Sequence, residues 1–226
     1  MIIPRRSWRR ASAVLVALSA ALVPAAVQPA QAAPAPTVSS YRTLPEPPAL
    51  SVARDELAGL TVSEPHSMDG YSREKFPHWI RQYGQCDTRE VVLARDGQDV
   101  VQDDQCRAVS GTWTSPYDGK VFSDAKQLDI DHLVPLAASW RSGADTWTTD
   151  KRKAFANDLT HSQLVAVSAA SNRAKADKGP DAWRPPLQSY WCTYSRAWTD
   201  IKYTYGLSTT EPEKAALNEM LDTCAQ

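Results

Sequence analysis

The sequence predicts an α+β protein held by disulfides, on three observations. Residues 107–130 have the texture of a hairpin, with Val109, Trp113, Val121 and Phe122 flanking the turn signal Ser115-Pro116-Tyr117-Asp118-Gly119. Residues 128–133 alternate apolar and polar side chains as a half-buried strand does, and after an excursion the apolar run 163–167 leads into a short helical stretch at 170–175. Two amphipathic stretches, 187–205 and 211–224, close the chain, separated by Gly206 and the start signal Thr209-Thr210-Glu211-Pro212. With 42% hydrophobic and 23% charged residues, the composition excludes a disordered chain and a disulfide-dense miniprotein.

The chain opens with Arg5, Arg6, Arg9 and Arg10, an uncharged run at 11–23 and the small-x-small triplet Ala30-Gln31-Ala32, the order of an export signal peptide over residues 1–32. A spanning helix needs about 20 apolar residues, so this run is too short to be one. Neither arginine pair sits in a full twin-arginine pattern, which leaves Sec and Tat export both open. These 32 residues hold four of the 25 bases and none of the 26 acids, so the remainder carries 21 bases against 26 acids, a net −5. That balance excludes a globally basic nucleic-acid coat. Residues 33–48 are rich in Pro, Ala and Ser and read as a linker or disordered segment, leaving 49–226 as a single domain.

Cys86, Cys106, Cys192 and Cys224 are even in number and form no C-x-x-C pair, which in an exported chain points to two disulfides. Of the three pairings, Cys86–Cys106 and Cys192–Cys224 close the shortest loops, each worth about 3 kcal/mol. A first helix is expected at 51–60 and a second at 87–95 with Asp87 as its cap. Helices at 135–141 and 148–155, the latter capped by Thr149 or Asp150, fill the excursion between the two later strands. Trp191, Tyr194, Trp198, Ile201 and Tyr205 recur at spacings of three and four, which marks a buried helix face more readily than a ligand platform.

The chemistry concentrates in Asp129-Ile130-Asp131-His132, with Asn157-Asp158 and the run Ser171-Asn172-Arg173-Ala174-Lys175-Ala176-Asp177-Lys178. A carboxylate next to an imidazole at a strand end, with a carboxamide on the following helix, makes a hard-oxygen site beside a base. Few protein ligands and several open positions suit Mg²⁺, which keeps waters and accepts phosphate oxygens. Neighbours on a strand point to opposite faces, so Asp131 and His132 divide the work: one binds the cation and the other acts on a water. An isolated Asp-His pair is as readily a solvated strand end, and the basic run a solvated helix face; their joint placement on strand, strand and helix selects the catalytic reading.

In these blocks the chain resembles the HNH, or ββα-metal, endonucleases, and within them a group of secreted bacterial HNH proteins. The resemblance runs from about Tyr71 to Cys224 through Cys86-Asp87-Thr88-Arg89-Glu90, Ser110-Gly111-Thr112-Trp113, the Asp-x-Asp-His-x-Val-Pro-Leu block, Asn157-Asp158, Asn172-Arg173-x-Lys175 and Pro180-x-x-Trp183-x-Pro185. It implies a ββα-metal (HNH) core with an additional β-hairpin and flanking helices. It also implies His132 as general base, Asp131 and Asn172 as metal ligands, and Asn157 as the middle residue orienting the His132 ring or bracing the loop, with Gln163 the alternative. Arg173, Lys175 and Lys178 are expected to contact phosphate; Arg89 resembles a recurrent family position, which an ion pair with a buried acid explains equally well; and Gly111, Trp113 and Trp183 are expected to be structural.

The expected protein is thus a secreted metal-dependent endonuclease. Its cofactor is a divalent cation, Mg²⁺ first and Mn²⁺ or Ni²⁺ next, and its substrate is DNA, with RNA as the alternative and little sequence specificity. No membrane insertion after processing and no protein partner are expected. The competing readings are a non-catalytic metal- or nucleic-acid-binding HNH-like envelope protein and a purely structural envelope protein.

Overall fold

Two strands, β6 (Leu128–His132) and β7 (Leu164–Ser168), run antiparallel in unbroken register, from Leu128 opposite Ser168 to His132 opposite Leu164. Directly cross-strand residues share a face. Leu128, Ile130, Leu164 and Ala166 therefore lie on one side, and they join a core with Val91, Val92, Leu93 and Trp113. Val165 and Val167 lie on the other and join a second core with Leu57, Phe155, Trp198, Ile201 and Leu217. A two-stranded sheet covered on both faces has no solvent side, which is why β7 is a continuous apolar run and is buried at every position.

The computed structural model describes residues 44–224. The expected signal peptide and the linker up to residue 43 lie outside the described residues. The last linker residues are fastened to the domain: Arg196 donates to the Pro47 and Pro48 carbonyls, Ser162 to that of Pro45, and Pro47 is buried. Among the described residues no helix is long and apolar enough to cross a membrane.

Helix α1 (Leu50–Gly59) is followed by a short hairpin, β1 (Arg81–Tyr83) with β2 (Cys86–Asp87), which runs into α2 (Thr88–Asp96). Asp87 caps α2 by accepting from the Glu90 N–H, as expected. The expected hairpin is present as β4 (Ala108–Thr114) and β5 (Val121–Phe122), but β3 (Gln98–Gln102) adds a third strand in the order β3-β4-β5. A Cβ at Gly111, which has φ +152°, would come within 2.7 Å of the Trp113 ring, so only glycine lets the backbone pass that indole.

Between β6 and β7 lie α3 (Leu136–Arg141) and α4 (Thr149–Ala156). The α4 cap is Thr148, whose hydroxyl accepts from the Lys151 N–H, and not Thr149 or Asp150. Ser168 both ends β7 and caps α5 (Ala169–Lys175) through the Ser171 N–H, so the strand turns into the helix without a linker. Helix α6 starts at Trp191 and ends at Tyr205, later than expected, because a 3-10 turn at Gln188–Tyr190 precedes it; α7 spans Glu211–Leu221. Tyr194, Trp198 and Ile201 are fully buried, so the aromatic stripe is core.

Both expected disulfides are present, Cys86–Cys106 and Cys192–Cys224. The first ties the start of α2 to the loop before β4, and the second ties α6 to the residue that follows α7 closely.

Candidate active site

Strand β6 ends in Asp131 and His132, and alternation sends their side chains to opposite faces of the sheet. His132 meets the Trp79 ring at 5.6 Å and the His78 ring at 6.4 Å between centroids. Asp131 meets Lys175 and Tyr117. Both residues line one cleft of about 330 Å³, which Tyr71, Arg73, Asn172 and Arg173 also line. Asn172 and Lys175 stand one turn apart on α5 and so share the helix face that returns to β6.

His132 is 4% exposed, and its Nε2 lies 3.0 Å from the Ala156 carbonyl. A carbonyl only accepts, so Nε2 carries the proton and Nδ1 keeps a free lone pair. Burial pulls the imidazole pKa down to about 3, and the positive charges of Arg73 and Lys175 act in the same direction against the raising effect of the Ala156 bond. The ring is therefore neutral at physiological pH.

Asp131 is 5% exposed and Lys175 0%. The Lys175 ammonium reaches Asp131 Oδ2 at 2.7 Å and Oδ1 at 3.0 Å and also donates to the His132 carbonyl at 3.0 Å, while the Tyr117 hydroxyl donates to Oδ2. Burial pushes the Asp131 carboxyl up and the Lys175 ammonium down, and their mutual contact offsets part of both shifts. A carboxylate offers about four lone-pair directions, so these three contacts leave Oδ1 one acceptor direction. Asn172 donates from Nδ2 to Asp129 Oδ2 at 3.0 Å, which fixes the amide and leaves its carbonyl oxygen without a partner among the described residues. Oxygen donors of this kind suit a hard cation that takes most of its ligands from water and substrate. No cluster of three or more His, Cys, Asp or Glu side chains suited to caging a metal occurs among the described residues.

Of the residues singled out from sequence, Asp131, His132, Asn172 and Arg173 come together in the cleft. Five others are placed differently. Lys175 is not a solvent-facing phosphate contact, because its ammonium is buried against Asp131. Asn157 does not touch His132: its Oδ1 accepts from the Ile80 N–H and the Thr88 hydroxyl, and its Nδ2 donates to the Pro77 and Lys153 carbonyls. The alternative, Gln163, bonds both the N–H and the carbonyl of Val134. Both amides brace loops, and the ring is oriented by the backbone carbonyl just before Asn157. Lys178 is exposed, donates to the Ala174 carbonyl and lines a neighbouring hollow. Arg89 binds the Ala125 and Leu128 carbonyls instead of a buried acid.

Sequence reasoning passed over Tyr117, Tyr71, Arg73 and His78. Tyr117 sits in a Ser-Pro-Tyr-Asp-Gly turn, a pattern that reads as a solvent-exposed tip, yet it is fully buried against Trp183 and Tyr194. Arg73-Glu74-Lys75 reads as a solvated charge run; the one signal there is the aromatic spacing of Tyr71, Phe76 and Trp79 around it.

A neutral histidine with a free ring nitrogen, set beside a carboxylate and a carboxamide at the end of an antiparallel strand pair, defines the class: an α+β protein with a base next to oxygen donors. Residues 88–220 match the family described as GmrSD restriction endonucleases, C-terminal domain, and the chain belongs to that family. It is also 54% identical over 188 residues, 83% of this chain and 92% of the relative, to an uncharacterized secreted protein of Arthroderma benhamiae. That relative is fungal, so the expected bacterial grouping gains no support from it. No solved structure matches.

Proposed function

We propose that the protein is an exported, metal-dependent endonuclease that hydrolyses DNA phosphodiesters at the β6–β7–α5 unit, a ββα-metal (HNH) site. The observation that carries this reading is His132: a buried imidazole, neutral at working pH, whose Nε2 proton is held by a backbone carbonyl so that Nδ1 is a proton acceptor at the cleft. Membership of a family named for restriction endonucleases supports the substrate, and the secreted relative, the leader and the disulfides support export.

In this reading His132 takes a proton from the attacking water. Asp131 Oδ1 and the Asn172 carbonyl oxygen hold the cation, Mg²⁺ by preference, with Mn²⁺ or Ni²⁺ as substitutes. A bound divalent ion there polarises the phosphoryl oxygen and stabilises the leaving alkoxide. Lys175 and Tyr117 act through Asp131, fixing its carboxylate and balancing its charge; Asp129 acts through Asn172, fixing which end of the amide meets the cleft. Arg173, exposed and without a partner among the described residues, holds phosphate.

The test is nicking of supercoiled plasmid with Mg²⁺, Mn²⁺ or chelator. Chelator should abolish nicking, and Asn172→Ala should cut slowly at limiting metal and recover in part as metal is raised. Nicking by Asn172→Ala at the wild-type rate in limiting metal would remove Asn172 from the cation site.

A further inference from the structure

The segment 71–80 lies ahead of the region shared with the family, yet it forms one wall of the His132 cleft. It is built onto the domain from several sides. Phe76 is fully buried and packs on Trp140 and Phe155. Arg152 donates to the Lys75 carbonyl, and Asn157 holds both the Pro77 carbonyl and the Ile80 N–H, bracketing His78 and Trp79. This bracket gives Asn157 a role that its distance from the His132 ring otherwise denies it.

On that wall stands Arg73. His78 Nδ1 lies 2.7 Å from the Phe76 carbonyl, so Nδ1 bears the proton and Nε2 accepts; Arg73 Nε donates to it at 3.4 Å. The guanidinium is thereby steadied at Nε, while its two terminal nitrogens have no partner among the described residues. No carboxylate forms an ion pair with Arg73 or with Arg173 among the described residues, and the two acids that line the cleft are already paired, Asp131 with Lys175 and Asp177 with Arg141, each at 2.7 Å. The protein is acidic overall, but its cleft presents two guanidinium groups without an ion-pair partner among the described residues, one on each wall. A guanidinium fork matches the two non-bridging oxygens of a phosphodiester.

We infer that Arg73 is a phosphate-binding residue of this site and forms with Arg173 a two-arginine clamp on a nucleic-acid phosphodiester beside His132. The inference rests on the nuclease reading above. It assigns substrate binding to a segment outside the shared family region, so that region alone would hold its substrate weakly.

The experiment is steady-state cleavage of a labelled DNA by the full chain over a salt series, for wild type, Arg73→Ala, Arg73→Lys and, as a remote cation, Arg54→Ala on α1. Arg73→Ala should raise KM about tenfold and lower the slope of log affinity against log salt by about one, with kcat little changed and the thermal midpoint kept. Arg73→Lys should regain part of the KM and the salt slope, because it keeps the charge but not the fork. Arg54→Ala should change neither. If wild type cuts and Arg73→Ala matches it in KM and slope, the clamp is wrong while the nuclease reading stands. If wild type cuts nothing, the nuclease reading fails and the clamp with it.

Discussion

Lys175–Asp131 and Lys202–Glu213 are built alike. Each is a lysine at most 1% exposed, from a helix, in contact with both oxygens of a buried carboxylate that accepts one further bond, from Tyr117 in the first pair and Trp198 Nε1 in the second. Asp131 lines one hollow of about 330 Å³, and Lys202 and Glu213 line a larger one of about 430 Å³. The difference is in the neighbours. The remaining Lys202 protons go to Ser142 Oγ and the Ser208 carbonyl, so that network consumes what it touches. Beside Asp131, the Asn172 carbonyl and His132 Nδ1 are left as acceptors at the cleft. Burial and paired charge therefore do not mark the site; acceptors left open around a rigidly held carboxylate do.

Breaking either pair should give the largest effect. Lys175→Met and Lys202→Met each leave a carboxylate buried without its cation, and each should lower unfolding free energy by about 3–5 kcal/mol in urea titrations. Activity per folded molecule separates them: Lys202→Met should cut normally and Lys175→Met should not. Replacing both partners, Lys202→Met with Glu213→Leu, should recover most of the lost stability. A double variant as unstable as the single one would show that the pair is needed for more than charge balance.

Next in size are the disulfides. Removing Cys192–Cys224, which spans 32 residues on the Lys202 side, or Cys86–Cys106, which spans 20, should cost about 3 kcal/mol each. Neither loss should alter cleavage by the molecules that remain folded, since no cysteine lines the cleft.

The smallest effect sharpens the comparison with a third buried carboxylate. Asp158 accepts from the Thr160 N–H and hydroxyl, His161 N and Nδ1, and the Tyr205 hydroxyl. Burial pushes its pKa up, but these bonds outweigh burial and hold it below the usual 3.8. A folded-state pKa below the unfolded one gives stability that is present above the unfolded value and lost as pH falls through the folded value. Asp158→Asn should thus cost about 1–2 kcal/mol at pH 7, with the gap to wild type closing below pH 4. A gap independent of pH would show that the carboxylate charge contributes nothing there.

Much of the scaffold was legible because local chemistry and tertiary placement agree. Asp87 caps α2, the alternation over 128–132 is a strand, and short loops paired the cysteines. Strand β3 was not legible: Gln-Asp-Val-Val-Gln is mostly exposed and carries no alternation to read, and Asp99 bends it at φ 52°. Within the proposed site, the meeting of Asp131, His132 and Asn172 at one cleft could be anticipated from residue type and order. The burial of Lys175 could not, since Asn-Arg-x-Lys-x-Asp-Lys has the composition of a solvated face and only the Ser171–Lys175 spacing hints at an inward one. Nor could Arg73, because its wall is set by Phe76 and Asn157, contacts of long sequence separation that no local pattern encodes.

The central claim, that the open nitrogen of His132 is the base of a nuclease, is tested most directly by the plasmid-nicking rate of His132→Ala in saturating Mg²⁺ against wild type. Loss of general-base catalysis predicts a rate reduced by about 10²–10⁴, with the fold retained by circular dichroism. Nicking by the folded His132→Ala variant at the wild-type rate would contradict the account.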